Sequence, residues 1–509
     1  MANPEISWTI DLPDEAATVA LAPRILPLVG PNALVTLSGD LGAGKTTFAR
    51  ALVRLLTKDP ELEVPSPTFT LMQVYQTDAF PVVHADLYRI RDASELSELG
   101  WEEAADGALL IVEWAAKAGE LPADRLDIDF AMVSGRDPTR RRAAITGHGA
   151  FAEKVARARN IQALLDGAGW GMAERAFMLG DASVRAYERL TNPDGARAVL
   201  MISPPRPDGP PVRNGKPYSA IARLAEDIRP FIAVDEALRA QDLCAPAIYA
   251  YDAEAGLAVL EDLGAEPVVD ANGPMPERYA EATAVLAALH GRALPQDLPL
   301  EGAPAYRVPP YDIDALTIEI ELILEWYAPH VARTQLSSSA RAAFINLWRP
   351  LLQQICAGPA TWALRDYHSP NLIWLPEREG LHRIGIIDFQ DCVMGHPAYD
   401  VVSLLQDARV TVSDELELKL LSHYARLRRA EAPDFNMMDF ARAYAVLGAQ
   451  RATKILGIFA RLDRRDGKPQ YLAHLPRVER YLTKDLNHPD LAPLRAWYET
   501  HLPRIFARP

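Results

Sequence analysis

The chain has 509 residues, of which 49% are hydrophobic and 24% charged, which excludes wholesale disorder and, at roughly 100–200 residues per domain, excludes a single core. Net charge is −15, with 13 Lys/Arg against 22 Asp/Glu over residues 1–150 and 40 against 46 over the remainder, so the basic footprint of a direct nucleic-acid binder is missing and any RNA is expected to enter through a partner protein. Three cysteines, Cys244, Cys356 and Cys392, lie too far apart for a disulfide framework or a paired-cysteine zinc site and read as small buried hydrophobes.

The first residues, Met1-Ala2-Asn3-Pro4-Glu5-Ile6, lack a basic head followed by an apolar stretch. No later segment offers about 18 uninterrupted apolar residues, so the expectation is a cytoplasmic protein without membrane contact. Residues 33–38 form a short apolar run of buried-strand type, and residues 47–56 carry helical apolar spacing. Between them stands Gly39-Asp40-Leu41-Gly42-Ala43-Gly44-Lys45-Thr46, which fits the G-x-x-x-x-G-K-[ST] phosphate loop. Strand, glycine loop and helix in that order put an anion at a helix N-terminus, so ATP or GTP is expected, with Lys45 on the β/γ-phosphates and Thr46 meeting Mg²⁺.

Pro65 and Pro67 then forbid a helix over residues 64–71, which serve either as a stiff loop into a strand at 69–75 or as a switch segment turning Ser66 and Thr68 to the γ-phosphate. The apolar run 82–86 ends at Asp86, where an acid beside a phosphate loop positions Mg²⁺ or the attacking water; His84 within it reads as a structural histidine. A third run, 108–112, ends in Glu113-Trp114, and Glu113 stands where a carboxylate that holds Mg²⁺ directly or through a bound ligand is expected, a solvated strand-end charge being the alternative.

Together, Gly39 to Thr46, Ser66-Pro67-Thr68-Phe69, His84-x-Asp86-Leu87-Tyr88-Arg89 and Val112-Glu113-Trp114 resemble the TsaE-type ATPase subunit of the bacterial machinery that makes threonylcarbamoyladenosine in tRNA. The resemblance spans about residues 8–145. It implies an α/β P-loop NTPase fold and slow ATP hydrolysis coupled to the other subunits of that complex, with tRNA reached only indirectly. It also implies Asp86 in catalysis and Thr46 and Glu113 at the metal.

Residues 134–142, rich in Arg with Gly and Pro, read as a solvated turn before a strand at 142–146, and helical periodicity resumes at 152. The boundary is therefore expected near residue 150, giving domains 1–150 and 151–509. Beyond it, residues 179–190 read as a glycine turn between two strands, 196–201 as a strand, 203–217 as a Pro-rich loop without regular structure, and 257–263 as a strand closing on Gly264. Strongly helical sequence follows Glu277. A small β-rich lobe (about 155–265) and a larger helical lobe (about 266–509) make an α+β bilobal, protein-kinase-like layout.

Its chemistry sits in Asp366-Tyr367-His368-Ser369-Pro370-Asn371 and in Asp388 at the end of the run 384–387. Asp-x-x-x-x-Asn followed by a strand-end Asp is the kinase arrangement, with Asp366 as base and Asn371 and Asp388 as Mg²⁺ ligands. These residues, with Leu179-Gly180-Asp181-Ala182-Ser183, Glu261-Asp262-Leu263-Gly264 and Tyr399-Asp400-Val401-Val402, resemble the aminoglycoside-phosphotransferase superfamily. More narrowly they resemble its AmgK-type anomeric kinases of N-acetylmuramate and N-acetylglucosamine. The resemblance implies transfer of the ATP γ-phosphate to an amino sugar in cell-wall recycling, with Gly180, Asp181, Ala182 and Ser183 on the phosphates and Glu261, Asp262 and Leu263 beside adenine.

Two departures stand out. The superfamily's H-G-D is Leu364-Arg365-Asp366 here, and the strand that should carry a phosphate-binding lysine offers Arg197 and Met201. An aminoglycoside or choline-like acceptor, or a nucleotide-binding scaffold without turnover, are the alternatives. The pairs Met437-Met438 and Trp326-Tyr327 read as packing, and the basic run 461–468 as a solvated turn.

Overall fold

The computed structural model describes residues 5–91, 95, 101–133, 139–178, 185–205 and 209–507. The chain divides into two compact units, Met1–Gly171 and Met172–Pro509.

In the first unit seven strands form one sheet: β1 (Glu5–Leu12), β2 (Leu34–Gly39), β3 (Met72–Tyr75), β4 (Val82–Asp86), β5 (Leu109–Glu113), β6 (Arg125–Met132) and β7 (Arg141–His148), in the order β1-β7-β6-β2-β5-β4-β3. The strands β4, β5, β2 and β6 run parallel, while β1, β7 and β3 pair antiparallel at the edges. Covered on both faces, the central strands are nearly continuous in apolar residues. Val35 and Leu37 on one face pack with Leu21 and Ile25 of the helix Glu15–Ile25 and with Phe48 and Leu52 of the helix Lys45–Thr57. Leu34 on the other face joins Ala85, Leu87 and Val112. The helix Ala150–Gly167 places Phe151 and Val155 in this same core. The division therefore falls after Gly171 and not near residue 150, because the apolar face of that helix is buried by the sheet before it.

The second unit opens with five antiparallel strands, β8 (Glu174–Met178), β9 (Ala186–Thr191), β10 (Arg197–Ile202), β13 (Ile248–Asp252) and β14 (Leu257–Glu261), in the order β13-β14-β10-β9-β8. Between β10 and β13, in the Pro-rich stretch expected to be irregular, β11 (Pro211–Arg213) and β12 (Lys216–Pro217) make a short ribbon, followed by the helix Arg229–Ala240. The rest is a helical lobe in which two small antiparallel pairs, Thr361–Ala363 with Val393–Gly395 and Leu372–Trp374 with Ile384–Ile386, present the loop that follows Ala363.

The longest helix, Met437–Asp466, runs to a left-handed C-cap at Gly467, so residues 461–466 are helical rather than a turn. It crosses the helix Ile313–Leu322 so closely that a Cβ on Gly457 would lie 2.5 Å from the Leu322 carbonyl carbon. Asn436 caps its N-terminus, and in that first turn Met437 packs on the core while Met438 is 82% exposed, against the expectation of packing for both. Cys356 is likewise exposed, unlike Cys244 and Cys392. Among the described residues no helix is long and apolar enough to cross a membrane.

Candidate functional site

In the first unit the candidate residues gather at the carboxyl ends of parallel strands, where open α/β sheets bind ligands. The phosphate loop leaves β2 at Gly39, whose φ of +121° and approach to Phe130 (2.1 Å from a built Cβ to its carbonyl oxygen) leave room only for glycine. Gly42 and Gly44 also take positive φ, and Gly44 stands at the N-cap of the helix Lys45–Thr57. Asp40 closes the turn by accepting from Ala43 N at 3.1 Å, with Leu41 exposed at its tip. Lys45 is buried, its Nζ donating to the carbonyls of Gly39 (2.8 Å) and Asp40 (2.9 Å) and lying 4.2 Å from the Trp114 ring centroid. Burial holds its pKa below the ordinary lysine value, although Glu113, Asp86, Asp40 and Asp129 oppose the shift.

The parallel register sets Asp86 beside Glu113. Thr46 Oγ1 donates to Glu113 Oε1 at 2.8 Å, and His84 Nε2 lies 3.0 Å from the same oxygen. His84 is thus more than a structural histidine: it is a second partner of the Glu113 carboxylate, and only the register of β4 on β5 reveals it. Ser66 Oγ donates to Asp86 Oδ2 at 2.6 Å, while Asp86 Oδ1 accepts from Tyr88 N at 2.9 Å. Thr68 Oγ1 lies 3.4 Å from both the carbonyl and Oγ of Ser66. The proline loop is therefore tethered to the strand-end acid. Thr46, Glu113 and Asp86 offer oxygen atoms alone, a donor set that fits Mg²⁺.

In the second unit a cleft of about 600 Å³ opens between the sheet and the helical lobe. Asp366, Asn371 and Asp388 meet on one wall. Asn371 Nδ2 donates to the Asp366 carbonyl at 2.9 Å and lies 3.4 Å from Asp388 Oδ2. Gln390 Nε2 holds Asp388 Oδ1 at 2.9 Å, and Asp388 sits at φ +60°. Two acids outside the loop fix its ends. Asp400, fully buried, accepts from Leu364 N (2.7 Å) and Arg365 N (2.9 Å), and Asp407 accepts from Ser369 N at 2.9 Å.

Asp366 remains 38% exposed to the cleft. Burial alone would raise its carboxyl, but His368 and the cations Lys454, Arg365 and Arg451 hold it below the usual carboxylate range. His368 is pushed down to about 4 by burial and is neutral at pH 7. Burial and the Asp366 charge push Asp388 up, against Arg185.

The missing lysine has a structural answer. Arg197 is exposed at the start of β10 and Met201 is in the core, so neither reaches the cleft, whereas Val199 lines it. Positive charge comes instead from Arg185, just before β9, whose Nη1 donates to Asp388 Oδ1 at 2.8 Å. The preceding Gly180, Asp181, Ala182 and Ser183 lie outside the described residues. At the connector, Glu261 is paired with Arg378, and Asp262 Oδ2 accepts from Arg189 Nε at 2.9 Å. Leu263 lines the cleft beside them.

The far wall belongs to the helix Met437–Asp466, from which Arg451, Lys454, Ile455 and Ile458 project at one helical face's spacing. Lys454 Nζ pairs with buried Glu319 at 2.8 Å, and Glu319 also accepts from Arg365, Tyr311 and Gln450. Burial would raise the Glu319 carboxyl, and Lys454 and Arg365 outweigh it. No sequence signal pointed to Arg185, Glu319 or Lys454, because each acquires its role from a partner far along the chain, nor to Arg451, which only the fold brings to the cleft. An Asn/Asp pair with a nearby cation fits Mg²⁺ carrying phosphates, since Mg²⁺ takes one or two carboxylates and leaves the remaining positions to phosphate and water.

Residues 176–434 match the phosphotransferase enzyme family, and residues 12–142 match the family described as threonylcarbamoyl adenosine biosynthesis protein TsaE. The N-acetylmuramate/N-acetylglucosamine kinase of Caulobacter vibrioides is 39% identical over 353 residues, 67% of this chain and 95% of that protein. The kinase of the same name from Pseudomonas putida is 31% identical over 62% of this chain and 84% of its own length. The tRNA threonylcarbamoyladenosine biosynthesis protein TsaE of Rickettsia felis is 42% identical over 104 residues, 20% of this chain and 60% of that protein.

Proposed function

The chain belongs to the phosphotransferase enzyme family, and from that premise we propose that its second unit transfers the ATP γ-phosphoryl group to the anomeric hydroxyl of N-acetylmuramate or N-acetylglucosamine. The observation that carries this reading is the meeting of Asp366, Asn371 and Asp388 on one wall of a cleft large enough for nucleotide and sugar. Asp366 is ionised and accepts the proton of the sugar O1–H. The O1–P bond forms as the β–γ bridging P–O bond breaks, and ADP leaves. Asn371 and Asp388 would hold Mg²⁺, which neutralises charge on the β- and γ-phosphates. Arg185, drawn toward Asp388, takes the place of the strand lysine as the cation nearest the phosphates. With the Glu261 and Asp262 carboxylates occupied by Arg378 and Arg189, the connector meets adenine through its backbone and Leu263. A cationic aminoglycoside or choline-like acceptor fits poorly against a wall that presents Arg451 without an acidic partner among the described residues.

The first unit is an ATPase that supports threonylcarbamoyladenosine formation through the other subunits of that machinery. Gly39, Asp40, Leu41, Gly42, Ala43 and Gly44 form the phosphate cradle. Lys45, now turned onto the loop's own carbonyls, exchanges them for phosphate oxygens when ATP enters, Thr46 and Glu113 would hold Mg²⁺, and Asp86 orients the attacking water. A cytoplasmic location goes with this reading, because both proposed reactions consume ATP.

Incubation of the whole protein with ATP and either sugar, with the product identified by mass spectrometry, tests the kinase reading. Sugar 1-phosphate should form, Asp366→Asn should reduce it by about 10³-fold or more, and Lys45→Ala should leave it intact while removing ATP hydrolysis by the first unit. Equal loss in both variants refutes two independent sites.

A further inference from the structure

Arg451 is 5% exposed, its side chain lines the cleft, and its charge acts on both Asp366 and His368. Among the described residues none lies within hydrogen-bonding or ion-pairing distance of its guanidinium. Its neighbours differ in this respect: Lys454 on the same helical face has Glu319, and Arg185 across the cleft has Asp388. A guanidinium that lines a cleft and is hydrogen-bonded to no anion is open to one brought by a ligand. The planar fork of Arg matches a carboxylate with two parallel hydrogen bonds, which an ammonium cannot reproduce.

The position decides which ligand this is. Arg451 stands beside the base Asp366, on the helical lobe, whereas the connector Glu261-Asp262-Leu263 belongs to the sheet lobe. ATP enters on the connector side with its phosphates toward Asp388, so the anion that reaches Arg451 belongs to the acceptor. The two sugars of the proposed reaction differ in one respect: N-acetylmuramate carries a lactyl ether on O3, ending in a carboxylate, where N-acetylglucosamine has a neutral hydroxyl.

We propose that Arg451 receives the acceptor's carboxylate, so that this site selects N-acetylmuramate over N-acetylglucosamine. The proposal rests on the sugar-kinase reading above and adds the specificity-determining residue to it.

The test compares kcat/KM for N-acetylmuramate, for its neutral lactyl amide and for N-acetylglucosamine, in the whole wild-type protein and in Arg451→Gln and Arg451→Lys. Wild type should favour N-acetylmuramate over its amide by roughly 10- to 100-fold, the range of a charge-assisted hydrogen bond. Arg451→Gln should reduce the ratio of N-acetylmuramate to N-acetylglucosamine by a similar factor, chiefly through KM, and Arg451→Lys should restore part of it. Equal handling of the carboxylate and its amide by wild type overturns the proposal without need of any variant. So does an equal loss on both sugars in a folded Arg451→Gln protein. If wild type phosphorylates none of the three, the sugar-kinase reading itself fails, which is a different result from active turnover without discrimination.

Discussion

Asp235 in the helix Arg229–Ala240 is fully buried, and neither of its carboxylate oxygens meets a hydrogen-bond donor among the described residues. Burial pushes its pKa up to about 8, with Arg239 offsetting only part. The folded protein therefore keeps this proton where the unfolded chain has released it. Stability is greatest below the unfolded value near 4 and falls by about 1.4 kcal/mol per pH unit as pH rises toward 8, beyond which the loss is complete. Asp235→Asn, a permanently neutral isostere, should raise the melting temperature of the second unit by an amount that grows between pH 5 and pH 8; parallel profiles for the two proteins would refute this. Residues of this kind are the least legible in sequence. Lys45, Thr46, Asp366 and Asn371 could be singled out as candidates because their motifs lie within a few residues. Arg185, His84 and Arg451 could not, because a lone cation or histidine in an apolar run has the same appearance whether or not folding brings an acid or a cleft beside it.

Among elements, the loop that carries Asp366 is held by acids on the segment after it rather than by its own sequence. Asp400 in the first turn of the helix Ala398–Leu405 and Asp407 just beyond its end grip the two ends of the loop. Asp400→Ala would leave two buried N–H groups without acceptors and should cost about 2–5 kcal/mol in urea unfolding, with kcat falling as the loop loses its register. Asp400→Asn, which restores only one acceptor, should fall between. The strands β2, β4, β5, β10 and β14 and the helices Lys45–Thr57 and Ala150–Gly167 were readable from apolar spacing, whereas β1, β6 and β13 were not. Charge disguised periodicity in the run 461–466, which is charged throughout except for Leu462 yet is helical, because it extends the long helix whose Leu462 packs on the core.

For the molecule as a whole, two separate cores imply two separately stable units. A chain ending at residue 171 should fold and bind ATP, whereas one ending at residue 150 forfeits the burial of Phe151 and Val155, roughly 3–6 kcal/mol, and should melt at lower temperature or aggregate. Comparable melting curves for the two fragments would show that the helix Ala150–Gly167 is dispensable. Within the second unit, Glu319 gathers donors from three places at once: Arg365 from the loop that carries Asp366, Lys454 and Gln450 from the longest helix, and Tyr311 from the segment before its own helix. Until all of them arrive, this acid is a charge or an unpaired proton inside an apolar lobe. The lobe is therefore expected to assemble all-or-none, with the loop that carries Asp366 ordered only as part of it. In hydrogen exchange the amides of Leu364 and Arg365 should open only with the whole lobe, so that the chain passes from inactive to competent in a single cooperative step.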